Sequence, residues 1–166
     1  MGYLETIPEL VPLYEGADYV EEKTIEGNVD LRAFIVGMMR KPGWLRMLYA
    51  LRKVLVRPFG IRQESSLGDE LRPEDISYTP NDKCRAFTVT CGREGEYLAL
   101  HIDDPHLKGQ LITAAVPLPD GRTRFHVGTV VHFNNRFGPV YFALILPFHH
   151  LVAARMMRAG VSSRNA

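Results

Sequence analysis

A chain of 166 residues fits one domain and is long enough to bury about two thirds of its unfolded surface. Its composition, 46% hydrophobic and 23% charged, is ordinary for a soluble globular protein, and 20 basic against 19 acidic side chains give a net charge of +1. That balance excludes a broad electrostatic footprint for nucleic acid, so no nucleic-acid partner is expected.

The first residues, "MGYLETIPELVPLYEG", carry early glutamates and prolines and lack the basic start and apolar core of a signal peptide. Residues 1–13 read as an N-terminal extension, and the expected location is cytoplasmic. "ADYVEEKTIE", Ala17 to Glu26, is a polar strand. Asp30 then suits a helix N-cap, and Leu31, Phe34, Ile35 and Met38 follow as one apolar stripe. "KPGW" breaks that helix and starts another, with Pro42 at its first turn. Leu45, Leu48, Leu51 and Leu55 form its apolar face until Pro58-Phe59-Gly60 stops it. Trp44 and Tyr49 read as core or rim aromatics, and Arg46, Arg52, Lys53 and Arg57 as a solvated basic face. Ile61 to Lys83 is a long polar connection, of the length that often serves as a lid.

Four β-type runs follow: "RAFTVTC", "EYLALHIDD", "KGQLITAAVPL" and "RTRFHVGTVVHFN". The links "GREG", "PHL" and "PDG" are tight turns, so consecutive strands are antiparallel neighbours in a meander. In the last run Phe125, Val127, Thr129, Val131 and Phe133 share a face that wants a core. Leu98, Leu100 and Ile102 do the same in the second run. The opposite face, with His101, Asp103, His126 and His132, is expected to be half wet. Those histidines are too scattered for a ligand motif, so neither a metal nor a cofactor is expected. If "CRAFTVTC" is one strand, Cys84 and Cys91 sit at its ends, roughly 23 Å apart and on opposite faces, which excludes a bridge between them.

The most apolar stretch is "FGPVYFALILPFHHLVAARMM", Phe137 to Met157. Pro139 suits a helix start, and Gly160 reads as the stop about 21 residues later. His149 and His150 interrupt the run and Arg155 and Arg158 close it, so no integral membrane segment is expected. Tyr141, Leu144, Ile145, Phe148, Leu151, Val152 and Met156 form the arc expected to pack on the sheet. Phe142, Leu146, Ala153 and Met157 form a second arc that would suit a homodimer. Pro147 removes a donor and frees the carbonyl of Ala143, so a bend is expected there, with space between helix and sheet.

The order of elements, strand, two helices, meander and long helix, resembles the helix-grip fold of the START-like (SRPBCC) superfamily. "GTVVHFNNRFGPVYFALILPFHHLVAARMM", with "WLRMLYALRKVLVRPFGI" and "YLALHID" upstream, resembles a bacterial domain-of-unknown-function family of that superfamily. The resemblance runs from Tyr14 to Val161 and is most specific in Gly138, Tyr141, Ile145, Pro147, Phe148 and His149. It implies an α+β fold in which an antiparallel meander wraps a kinked C-terminal helix, with residues 14–160 as one domain and 161–166 as a disordered tail. It also implies a cavity for a small apolar or amphipathic ligand. Tyr141, Ile145, Phe148, Val152, Val127, Val131 and Leu100 are the candidate lining, and Arg155 the candidate anchor for an acidic head group. For Arg155 a stem that packs while the head reaches water is the reading preferred over that anchor. The family carries no established catalytic residues. An enzyme of the cyclase or hydrolase kind, with a cavity histidine or aspartate as general base, is the second reading, and His149 and His150 are its titratable candidates.

Overall fold

Asp30 starts the first helix as its sequence context predicts, its carboxylate accepting a hydrogen bond from the Ala33 amide at 2.8 Å. The structure is a computed structural model that describes residues 2–40 and 71–162. The helix expected from Pro42 until Pro58-Phe59-Gly60 stops it, with Trp44 and Tyr49, lies outside the described residues, as do the first ten residues of the expected long connection.

The strands are β1 (Tyr19–Gly27), β2 (Lys83–Cys84), β3 (Phe87–Arg93), β4 (Tyr97–Asp103), β5 (Leu107–Pro117) and β6 (Thr123–Phe133). Helix α1 spans Leu31–Met39 and α2, the C-terminal helix, spans Gly138–Ser162. One antiparallel sheet has the order β1-β6-β5-β4-β3-β2, with β1 closing back onto the last strand. The glycines of two predicted turns, Gly95 and Gly121, have φ of 75° and 82°, where a side chain would be strained. This is the helix-grip architecture: an open antiparallel sheet, a short helix after the first strand, and a long helix across it.

The face assignment follows the alternation. Phe125 and Val127 of β6 join Leu98 and Leu100 of β4 and Val89 of β3 under α1, where Phe34 stacks on Phe125 with ring centroids 4.0 Å apart. Val131 and Phe133 meet the first turns of the C-terminal helix instead. Cys84 and Cys91 are free thiols in clusters on opposite faces of the sheet.

The other face is not the wet surface expected. Leu4 and Leu10, in the N-terminal segment, are fully buried against Tyr97, Ala99, Ile112, Ala114 and Val130. Glu22 of β1 pins this segment: its carboxylate accepts from the amides of Tyr3 and Leu4, each at 3.2 Å. The same carboxylate lies 2.8 Å from Nδ1 of His126, whose ring sits under Tyr3. Gly128 makes room, since a Cβ there would lie 2.5 Å from Leu4 Cδ1. Apolar residues only ten positions deep in the chain thus supply a second core that the strand pattern does not announce.

The C-terminal helix also differs from expectation in its rotation. Its buried residues are Gly138, Tyr141, Phe142, Met157 and Gly160, while Leu144 and Leu151 are exposed. The stripe is displaced by about a quarter turn from the one expected, so the arc assigned to a partner copy faces inward. Two glycines decide this. A Cβ on Gly138 would lie 2.7 Å from the His106 carbonyl, and one on Gly160 would lie 2.7 Å from the Phe34 ring. Gly160 is therefore a contact residue inside the helix, not its stop, and the helix continues through Val161 to Ser162. It also runs unbroken through Pro147, which is exposed, as is Ala143, whose carbonyl the proline leaves without its usual donor.

Replacing Gly160 with alanine gains roughly 1 kcal/mol of helix propensity but overpacks a stacked ring pair, which costs about 1–3 kcal/mol. Urea unfolding should show a net loss. Phe142→Ala should cost about 3–5 kcal/mol and Leu144→Ala less than about 1 kcal/mol. The reverse order would place the helix on its other face.

Candidate functional site

β1 alternates in a way that matches the helix above it. The side facing the helix reads Tyr19, Glu21, Lys23 and Ile25, partnered by Val131, Thr129, Val127 and Phe125 of β6. Its apolar ends fit the two places where the helix docks: Tyr19 packs on Phe142 with ring centroids 4.7 Å apart, and Ile25 packs on the α1 core that includes Met157. Its polar middle lies under the turn after Pro147.

There Glu21 gathers three basic groups. Its carboxylate lies 3.0 Å from Nδ1 of His150, 3.6 Å from Nε2 of His149 and 2.5 Å from Nζ of Lys23. Lys23 Nζ is also 3.2 Å from His150 Nδ1, a nitrogen that donates to Glu21 or accepts from Lys23 but not both at once. His149 occupies the centre of the inward stripe. Its Nε2 is closed to solvent and has no hydrogen-bond partner, because 3.6 Å is too long for one. Burial pushes the His149 imidazole down from its ordinary value; Glu21 opposes this, and Lys23 and His150 add to it. Burial pushes the Glu21 carboxyl up, but the hydrogen bond and charge of Lys23, joined by the two histidines when they are protonated, outweigh it, so the net shift is downward. At neutral pH the cluster is a carboxylate and an ammonium with an uncharged His149 between helix and sheet.

Beside the cluster, a crevice of about 260 Å³ separates β1 from the last turns of the helix. Ile25, Ala154 and Met157 give it an apolar floor, and Lys23, Thr24 and Arg158 a polar rim. A hollow of about 400 Å³ on the other face of the sheet lies between the N-terminal segment and Tyr97, where Arg93 is already paired with Glu9 and Glu96.

The candidate lining residues do not meet around one space. Tyr141, Ile145 and Val131 pack together at the start of the helix, whereas Leu100 and Val127 lie in the core under α1. Phe148 and Val152 are half-buried, and Arg155 is exposed rather than on the inward arc. The scattered polar residues of the other face also stay apart. His101 contacts Thr90 and Asp103, His126 contacts Glu22, and His132 lies 3.0 Å from the Glu15 carbonyl. Among the described residues no group of three or more His, Cys, Asp or Glu side chains is placed to hold a metal. Glu21 and Lys23 were missed in the sequence, although two charges bracketed by Tyr19 and Ile25 at strand spacing were a visible signal.

A family model described as "Protein of unknown function (DUF2867)" matches residues 13–156. The chain belongs to that family. The matched span takes in β1, the meander and most of the C-terminal helix, so Glu21, Lys23, His149 and His150 all fall within the DUF2867 region. No curated protein matches the sequence. Among solved structures, the chain is similar to a START superfamily protein from Mycobacterium smegmatis, at 15% identity and a TM-score of 0.42, covering 86% of this chain and 96% of that one. It is similar to Ara h 8.0201 at 11% identity and a TM-score of 0.42, covering 87% and 98%. It is also similar to the hypothetical protein jhp0584 from Helicobacter pylori at 13% identity and a TM-score of 0.45, covering 99% and 98%. Likeness at this level carries nothing about ligand or chemistry, which rest on the residues above.

The cluster gives a pH dependence with a definite sign. A histidine whose folded value lies below its ordinary 6.5 is favoured neutral in the native state. Its contribution to stability is fully present above 6.5 and is lost as pH falls below it. Unfolding free energy should therefore drop as pH falls below about 6.5, by at most about 1.4 kcal/mol per pH unit for this one proton. His149→Gln should flatten that slope. An unchanged slope would mean that the buried histidine does not govern it.

Proposed function

We propose that this protein binds a small amphipathic molecule at the joint between β1 and the C-terminal helix. The apolar part lies against Ile25, Ala154 and Met157, and an acidic head group is held by Lys23 and Arg158. The crevice carries this reading, because its floor is apolar and its rim holds Arg158 and a Lys23 ammonium that also pairs with Glu21. Its volume of about 260 Å³ favours a short-chain ligand. Arg158 takes here the part that the sequence reading gave to Arg155.

Catalysis by His149 is the second reading, favoured by its lowered pKa and by the carboxylate beside it. Its Nε2 is closed to solvent, so a substrate would reach it only after the helix moved. Binding asks for no such movement and is preferred.

Octanoate and octanol, matched in chain length, separate the head-group contact from the apolar one. Titration calorimetry should find octanoate the tighter ligand. Lys23→Ala should weaken octanoate about fivefold, the size of a partly exposed ion pair, and leave octanol unchanged. Absence of binding by either compound, together with no small molecule retained by protein purified without detergent, would sink the proposal.

A further inference from the structure

The outward side of the C-terminal helix presents a continuous apolar stripe that the ligand site does not use. Phe137 is 62% exposed, Val140 59%, Leu144 37% and Leu151 43%. The helix Gly138–Ser162 is long and apolar enough to cross a membrane, yet only 17% of its most apolar eighteen-residue window is buried. From Arg136 to the end of the chain there is no aspartate or glutamate. Arg136 precedes the stripe and Arg158 follows it, both exposed.

We propose that this stripe docks the protein on an anionic lipid surface, with the helix lying in the plane of the interface. An apolar face with a cation at its start and no acidic residue along it is what such a surface selects: the leucines and Phe137 enter the head-group boundary while Arg136 meets phosphates. The helix lies on the membrane and does not cross it, because its other side is committed. Tyr141 and Phe142 are buried on β5 and β6, Gly160 touches Phe34, and His149 faces Glu21. A second copy is a poorer occupant. Antiparallel pairing of two such helices would bring the Arg136 end of one onto the Arg158 end of the other, cation against cation, and parallel pairing would set each arginine against its own copy.

Flotation of the full chain with vesicles tests this. Vesicles of phosphatidylcholine and phosphatidylglycerol at 3:1 should bind it about tenfold or more tightly than phosphatidylcholine alone, and binding should weaken as salt rises from about 0.1 to 0.5 M. Leu144→Asp with Leu151→Asp should abolish binding while leaving the melting temperature nearly unchanged, since both positions are exposed. Arg136→Gln should cost about fivefold on the anionic vesicles and nothing on the neutral ones. Equal binding to both vesicle types, binding that survives the double aspartate variant, or no binding would overturn the proposal. So would a dimer in solution that the same two substitutions dissociate, because the stripe would then belong to a second copy. Octanoate binding does not use Leu144, Leu151 or Arg136, so failure here leaves the ligand reading standing, and the reverse also holds.

Discussion

The rotation of the C-terminal helix about its own axis is the constraint on which the rest of this structure depends, and two missing side chains set it. Gly138 lets the helix start press on the His106 carbonyl and Phe133, and Gly160 lets the Phe34 ring lie against the last turns. With both ends clamped, the side chains between them have no freedom to choose a face. His149 must point at β1, Phe142 and Met157 must go inward, and Leu144 and Leu151 must go out. Propensity and hydrophobicity favour neither arc, since both are apolar; close backbone approach breaks the tie.

That clamp explains why a charged cluster sits between a helix and a sheet. The helix is anchored on apolar residues at its two ends, and β1 offers Glu21 and Lys23 in the middle. A lone carboxylate there would be costly to bury; Lys23 and His150 compensate it, and His149 stays uncharged beside it. Such an arrangement fixes the sliding position of the helix, because a shift by one turn would leave Glu21 facing apolar side chains, Ile145 and Leu146 or Val152 and Ala153.

On the opposite side of the sheet the same strand does a different job. Glu22, one residue from Glu21 and therefore on the other face, holds the N-terminal segment by two amides and His126. Adjacent glutamates of β1 thus fasten the two layers that cover the sheet. The sheet is buried on both faces, by helices on one and by the turns around Leu4 and Leu10 on the other.

The sequence by itself determined the meander, its turns, the face of β6 that takes the core, the Asp30 cap and the apolar C-terminal helix. These depend on period-two alternation, on turn residues and on capping chemistry, all of which act between residues close in the chain. It also marked His149 and His150 as the titratable pair. It did not determine which side of that helix is buried, because the choice rests on contacts of Gly138 with His106 and of Gly160 with Phe34, partners 32 and 126 positions away along the chain. Nor did it reveal Glu21 as the partner of those histidines, or Leu4 and Leu10 as cover for the sheet. A polar strand and a short apolar segment look the same in sequence whether they face water or a neighbour. Only tertiary packing, which decides what lies across from each side chain, separates the two.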